Sequence, residues 1–436
     1  MTASARFEQE LVAPRVVAFL GEPGPATPCL LLDLAVVEAR YLELAAAMPE
    51  APIYYAVKAN AEPAVIALLA RLGACFDVAS PDEIDRCLAA GVTPDRLSYG
   101  NTIKKVDDIR RAFGQGLRQF TFDAEAELDK LATAAPGSSV TCRLATSGQG
   151  ADWPLSGKFG CDAEMAADLL TQAQLLGLDP VGISFHVGSQ QRDPRQWDAA
   201  IADAAAVFAT CAASAVPLRN LDLGGGFPAR YRDSVPDIGE YVRTIRSSLA
   251  THFGEGRPSV AVEPGRFIVA EAGVLHAEVV LVSRKSYADD HRWVYLDAGV
   301  FGGLAETLGE AITYPIATSR DGDGSGVGPV VLAGPTCDSV DVLYERNRYE
   351  LPRSLTTGDR LMFLSAGAYT NAYCTDGFNG FGPLAVYCIP NEPSAPRTRN
   401  DENCHTSAGS TGAEVNGSTR LASGVQSTGS ETIGPR

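Results

Sequence analysis

The 436-residue sequence predicts an α/β protein: a (β/α)8 barrel of the TIM type, then a mostly β C-terminal domain and a disordered tail. Three observations lead there. From residue 52 onward, apolar runs alternate with helical patterns. PIYYAVK, CFDVAS, RLSYGN, RQFTFD, VTCRLAT, GISFHVG, NLDLGGG and SVAVEPG make about eight repeats, the number that closes a barrel. After Glu263 the runs shorten, become rich in β-formers and are separated by Gly and Pro. From Glu392 onward Ser, Thr, Gly, Asn and Pro dominate, with too little apolar surface to fold. The expected division is a lead-in at 1–28 joining the β domain, the barrel at 29–263, the β domain at 264–390 and the tail at 391–436.

Taken in order, CLLLDL at 29–34 is a first candidate strand. It precedes a helix in which Leu34, Val37, Tyr41, Leu44 and Met48 recur at helical spacing. PIYYAVKAN at 52–60 is a β-branched and aromatic strand ending in Lys58, where an ammonium packs badly. Burial is expected to lower that amine's pKa and free it to attack a carbonyl as a Schiff-base lysine. Ser80 and Glu83 have capping-box spacing at the start of the helix after CFDVAS. Lys58, Asp77, Asn101, Asp123, Arg143, His186, Gly224 to Gly226 and Glu263 all fall at or just beyond strand C-termini, the face that carries the site in such a barrel.

Composition narrows the partners. A net charge of -17 with a pI near 4.8 argues against nucleic acid and against an anionic membrane. No basic region followed by an apolar run opens the sequence and no window is long enough to span a bilayer, so a cytoplasmic protein is expected. The ten cysteines lack CxxC pairs and read as free thiols. The five histidines lack HxH or HExxH spacing, so no metal is expected.

Three constellations carry chemistry. Gly224, Gly225 and Gly226 follow a strand and leave backbone amides open to an anion such as phosphate. Glu263 ends the next strand, and Arg266 follows it, placed either to help with a phosphate or to pair with a buried carboxylate. His186 ends the sixth strand and is placed to lie against a flat ring. Arg143 and Asp77 are charges on apolar strands that need partners if buried. A Schiff-base lysine, a phosphate cradle and a facing carboxylate are the parts that pyridoxal 5'-phosphate requires.

YYAVKAN, FDVAS, SFHVGSQ, DLGGGFP, EPGRFIV, GPTCDSVD and GAYT together resemble the successive motifs of the barrel-fold (alanine racemase-like, fold type III) pyridoxal phosphate decarboxylases of basic amino acids. The resemblance spans about residues 28–390 and points to the ornithine branch, including its bacterial lysine/ornithine members. It implies decarboxylation of L-ornithine to putrescine, with L-lysine to cadaverine as a further activity, in a homodimer with shared active sites.

By motif, Lys58 resembles the Schiff-base lysine, Glu263 the partner of the pyridine nitrogen and His186 the ring-stacking histidine. Ser189, Gly226, the segment Glu263, Pro264, Gly265 and Arg266, and Tyr369 resemble phosphate-side contacts; Asp77, Glu83 and Arg143 match positions around the cofactor. Cys337 resembles the cysteine delivered from the partner subunit to protonate the α-carbon, and Asp338 the carboxylate that meets the distal amine. On the substrate side, Phe301 stands where eukaryotic ornithine enzymes carry tyrosine, and Glu310, after Gly309, stands where they carry aspartate. Ser339 also replaces a glycine. Diaminopimelate decarboxylase, a racemase of the same fold and a non-catalytic homologue of the antizyme-inhibitor kind are the alternatives. The CDSVD motif and the NGF near Asn379 favour the ornithine branch over the first. Retention of Lys58, the glycines and Cys337 speaks against the last.

Overall fold

The computed structural model describes residues 12–21, 24–155 and 157–391. The expected tail lies outside the described residues except for Asn391, as do residues 1–11 of the lead-in. Among the described residues no helix is long and apolar enough to cross a membrane. Nor is any group of three or more His, Cys, Asp or Glu placed to hold a metal ion.

The first strand, β1 (Cys29–Asp33), is buried at every position. It does not open the barrel, as the division at residue 29 anticipated. It pairs antiparallel with Gly273–Ser283 and parallel with Ala385–Ile389, in the sheet of the β domain. Its unbroken apolar run is the reason: a strand covered on both faces reads the same in a barrel and in the middle of a mixed sheet. In the lead-in, Val16 on the helix Pro14–Phe19 packs with Cys29, Leu31, Val274, Leu364 and Ile389 on this sheet.

The barrel begins at β2 (Tyr54–Ala56) and continues through β3 (Cys75–Val78), β4 (Leu97–Tyr99), β5 (Gln119–Phe122) and β6 (Ser139–Arg143). After a short β7 (Ala151–Trp153) come β8 (Asp179–Ser184), a short β9 (Ser189–Gln191), β10 (Asn220–Asp222) and β11 (Ser259–Ala261). The eight strands other than β7 and β9 form one parallel sheet in sequential order. The first and last meet at an Ile53 to Val262 bridge, where the Tyr54 N–H donates to the Val262 carbonyl at 2.8 Å. Helices cover the outside because their apolar stripes need burial: Pro63–Arg71, with proline at its first turn, buries Val65, Ile66, Leu68 and Leu69.

Along β6, Val140 and Cys142 are buried on the helix side, while Ser139 and Thr141 face the lumen. A cavity of about 600 Å³ opens at the N-terminal end of the barrel, where Tyr54, Ser98, Gln119, Thr141 and Asp222 line it. That end is opposite the strand C-termini. The β7–β9 pair is antiparallel and lies outside the barrel sheet; nothing in the polar, glycine-rich sequence around it announced a strand.

The second sheet has nine strands and includes β1 and β12 (Gly273–Ser283). β12 pairs with Arg360–Leu364 through its first half and with Arg292–Leu296 through its second, across a register shift between Val279 and Leu281. One apolar cluster runs from the barrel into this sheet and joins Val57 and Ala59 to Val300, Leu304 and Ala368. The two architectures therefore share a core at the level of Lys58.

Candidate active site

Lys58, expected at the strand end, sits two residues beyond the end of β2, in a 3-10 turn at Val57–Ala59. The turn is held from two sides. The Ala56 N–H donates to the Pro264 carbonyl at 3.1 Å, and the Tyr369 N–H donates to the Ala59 carbonyl at 2.8 Å. Tyr369 takes a left-handed φ of +55°, a costly conformation for a non-glycine residue that tends to persist at working sites. Nearby, the Asn60 amide donates to the Gly367 carbonyl at 2.8 Å and the Tyr55 hydroxyl donates to the Asn60 carbonyl at 2.8 Å, so the segment after the lysine is pinned to the β domain.

Lys58 Nζ donates to Asp77 Oδ2 at 2.5 Å. Asp77 is buried, whereas the lysine side chain keeps 43% exposure toward the barrel mouth. Burial works against the ammonium, but Asp77, Tyr369 and Glu263 outweigh it and hold Lys58 above its ordinary pKa. This reverses the expectation of a lowered amine. The nearest carboxylate decides the sign, and Asp77 is on the adjacent strand at the same level. A lysine held in this way is a clamped ammonium until an incoming group displaces the carboxylate.

Beneath Lys58 lies an acid cluster. Burial pushes Glu263 well above the usual carboxylate range, and Asp222 and Asp77 add to the shift; burial and Asp77 also raise Asp222, its hydrogen-bonded neighbour. Both shifts disfavour two negative charges side by side. The Gly224 N–H donates to Asp222 Oδ1 at 2.9 Å and anchors the pair to the glycine loop. Burial pushes Glu83 up to about 7, although the Ala79 N–H donates to its Oε2 at 2.6 Å and Lys58 opposes the shift. The Glu83 N–H donates to Ser80 Oγ at 3.3 Å, so the expected cap is present.

His186 is neutral. Burial, then the charges of Arg143 and Lys58, hold its pKa well below the ordinary value, and the Gly188 N–H donates to Nδ1 at 3.0 Å, which leaves the ring proton on Nε2. Gly225 faces that nitrogen: a Cβ there would stand 3.1 Å from Nε2 and 2.6 Å from the Glu263 carbonyl. At Gly224, with φ +65°, a Cβ would come within 1.9 Å of the Phe185 carbonyl. Only a backbone without side chains passes here; the Gly224 N–H is taken by Asp222, which leaves the Gly225 and Gly226 amides for an anion.

Arg266 is buried and fully engaged. Its Nη1 donates to Tyr231 Oη and Glu306 Oε2, both at 2.7 Å, and its Nη2 donates to Glu306 Oε1 at 2.5 Å. Nε and Nη2 also donate to Ser189 Oγ, at 3.2 and 3.1 Å, and the guanidinium lies 4.9 Å from the centre of the Tyr369 ring. Of the two expectations for this arginine, the buried carboxylate pair is the one observed, and it fixes Ser189 and Tyr369 beside the glycine loop. The charge of Arg143 lies 5.4 Å from the centre of the Phe159 ring, at the lip of the barrel.

The residues expected on the substrate side are not gathered at Lys58 in this way. Cys337 and Asp338 are exposed: the Cys337 N–H donates to Asn379 Oδ1 at 2.8 Å, and Asp338 Oδ1 accepts from the Val340 N–H at 2.9 Å. Glu310, with φ +60°, turns its carboxylate onto the neighbouring turn, accepting from the Arg346 N–H at 2.7 Å and the Asn347 amide at 2.6 Å. Gly309 accepts from Arg346 Nη2 through its carbonyl. Phe301 packs against Phe378, ring centres 4.9 Å apart.

Three working residues escaped the sequence reading: Asp222, Tyr231 and Glu306. Asp222 carried a usable signal, since it is a carboxylate on an apolar strand like Asp77. Glu306 and Tyr231 carried none, because their contacts join segments 40 and 35 residues from Arg266.

These groups fit pyridoxal phosphate. Lys58 would hold the aldehyde carbon, the Gly224 to Gly226 backbone with Ser189 and Tyr369 the phosphate, Glu263 the pyridine nitrogen and neutral His186 the ring face. The cofactor, once bound, supplies an electron sink for a bond broken at the α-carbon.

Residues 34–270 match the family described as pyridoxal-dependent decarboxylase, pyridoxal binding domain. The chain is 33% identical to the lysine/ornithine decarboxylase of Selenomonas ruminantium over 86% of this chain and 93% of that protein. It is 35% identical to antizyme inhibitor 2 of Xenopus laevis over 82% of this chain and 80% of that protein. Among solved structures, the lysine/ornithine decarboxylase of Vibrio vulnificus complexed with cadaverine superimposes with a TM-score of 0.77 at 32% identity, covering 87% of this chain and 99% of that one. With the lysine, the glycine loop and the paired carboxyls in place, the chain belongs to the pyridoxal-dependent decarboxylases of the ornithine and lysine group.

Proposed function

We propose that the protein decarboxylates L-ornithine to putrescine and carbon dioxide, with L-lysine to cadaverine as a second activity, as a cytoplasmic homodimer with shared sites. The observation that carries this reading is the Lys58–Asp77 contact at the barrel mouth, with Glu263, His186 and the glycine loop packed around it. The two named lysine/ornithine decarboxylases support the substrate class. Lys58 would hold the cofactor's aldehyde carbon and yield it to the substrate amine. Glu263 would hold the ring nitrogen, and neutral His186 would cover the ring face. Cys337 of the partner subunit delivers a proton to the α-carbon, and Asp338 of the partner subunit receives the distal ammonium. The exposure of both residues suits delivery across a subunit boundary.

The test is carbon dioxide release by the protein with pyridoxal phosphate on ornithine, lysine, arginine and diaminopimelate in parallel. Release from ornithine, with or without lysine, is expected. Release from diaminopimelate alone would transfer the protein to that rival activity. A second reading, a regulatory homologue, is favoured by the antizyme inhibitor relative; it requires no turnover on any of the four substrates.

A further inference from the structure

On the outer side of β6, behind Arg143, two thiols meet in the wall between barrel and helices. Cys142 Sγ and Cys161 Sγ are 3.6 Å apart, both buried and both reduced. The backbone already joins the two segments: Leu144 bridges Cys161, the Cys161 N–H donates to the Arg143 carbonyl at 3.1 Å, and the Ala145 N–H donates to the Cys161 carbonyl at 2.9 Å. In addition, the Gly160 N–H donates to Asp123 Oδ2 at 2.7 Å, so the second thiol is fixed from both directions. Closing the pair brings the two sulfurs from 3.6 Å to about 2 Å.

We propose that Cys142 and Cys161 are an oxidation site: a dithiol that a peroxide closes into a disulfide, stapling β6 to the segment entering the helix Ala163–Leu175. Cys161 meets Arg143, a residue expected around the cofactor, at its backbone carbonyl, so the thiol pair lies directly behind the wall of the cofactor site. The two thiols are unequal. The hydrogen bond from Cys142 lowers the Cys161 pKa, whereas the same contact and burial raise that of Cys142. Cys161 is also the thiol with some exposure, 7% against none for Cys142. Cys161 is accordingly the attacking sulfur.

The step balances as follows in atoms and electrons. The Cys161 thiolate attacks one peroxide oxygen, the O–O bond breaks, and the departing hydroxide takes up a proton to become water. The Cys142 sulfur then attacks the sulfenic sulfur of Cys161, the S–O bond breaks, and the hydroxyl leaves with the Cys142 proton as a second water. Two thiols are oxidised by two electrons in total, and one peroxide is reduced to two waters.

The test uses the full-length holoenzyme, treated with dilute hydrogen peroxide, alkylated and digested without reductant. A peptide pair linked through Cys142 and Cys161, about 2 Da lighter than the two reduced peptides and separated again by dithiothreitol, is expected. Cys161→Ser, and independently Cys142→Ala, remove that species. The proposal is overturned if both thiols remain open to alkylation after unfolding while other cysteines oxidise. It is equally overturned if the link forms only when peroxide is added to urea-unfolded chain, or if Cys161 is found bonded to a different cysteine. Because the linked peptide is read in the natural protein, poor folding of either variant does not blunt the test. Absence of decarboxylase activity leaves this readout intact.

Discussion

The mouth of the barrel and the rim around Cys337 contrast sharply. At the mouth, Lys58 is bonded to Asp77 and Glu263 to Asp222, and Arg266 holds both Ser189 and Glu306. At the rim, Cys337 and Asp338 face solvent, and Glu310 spends its carboxylate on the turn at Arg346 and Asn347. A charge network with its partners buried inside one chain is organised before any ligand arrives. Residues that face outward have no such organisation until something covers them. Lys58, Asp77, Glu263 and Asp222 are therefore paired within the single chain, whereas Cys337 and Asp338 lie on an exposed segment.

The comparison is broken most severely at Lys58. Lys58→Ala should lose the visible absorbance of lysine-bound cofactor and reduce turnover by roughly 10³-fold or more. An unchanged spectrum would remove the basis of the whole assignment. Cys337→Ala, by contrast, should keep the spectrum and misdirect protonation. Mixing the two variants, with diamine formation as the readout, then separates the regions directly. If the rim serves the other subunit's mouth, random mixing restores about a quarter of the natural activity, since half the dimers are mixed and each carries one intact site. No recovery on subunit exchange would place both halves in one chain.

Stability sharpens the same contrast. Glu306→Gln leaves Arg266 buried without a countercharge and should cost about 3–5 kcal/mol in denaturant unfolding, since truncating one partner strands the other. Glu310→Asp on the rim should change stability little, because its partners are exposed, and should shift the ornithine to lysine preference instead, read as a ratio of kcat/KM values.

The smallest expected effect is a pH dependence. Glu83 has a raised pKa of about 7 in the folded chain, so between its ordinary value near 4.5 and 7 the folded state holds more protons than the unfolded one. Its burial then costs stability above pH 7, and that cost is relieved as pH falls through the window. Buried neutral His186 acts with the opposite sign, since the unfolded chain takes up a proton below about 6.5 that the folded chain refuses. The Tm of Glu83→Gln, compared with the natural protein across pH 5 to 8, isolates the first contribution: the variant should gain most above pH 7. A constant difference across that range would show that Glu83 does not titrate there.

Much of the mouth was legible beforehand because its signals are local. A lysine closing an apolar strand, three glycines after another and EPGR after a third are each contained in a few residues, and the period of the repeats placed them on one face. The strand at Cys29 misled for an equally physical reason. An all-apolar run says that both faces are covered and is silent on what covers them, so its place beside β12 had to come from pairing. The sign of the Lys58 shift was misread because burial is visible in sequence and the carboxylate opposite is not.

By itself, the sequence determined the eightfold repeat, the two architectures, the cofactor chemistry and most of the residues around it. The tertiary structure alone decided which charges neutralise which. Arg266 chose Glu306 and Ser189, Glu263 chose Asp222, and Cys142 met Cys161. These pairs lie up to 77 residues apart and depend on interatomic distances. Electrostatic and sulfur contacts act over a few ångströms, a scale that residue order does not encode until the barrel has closed.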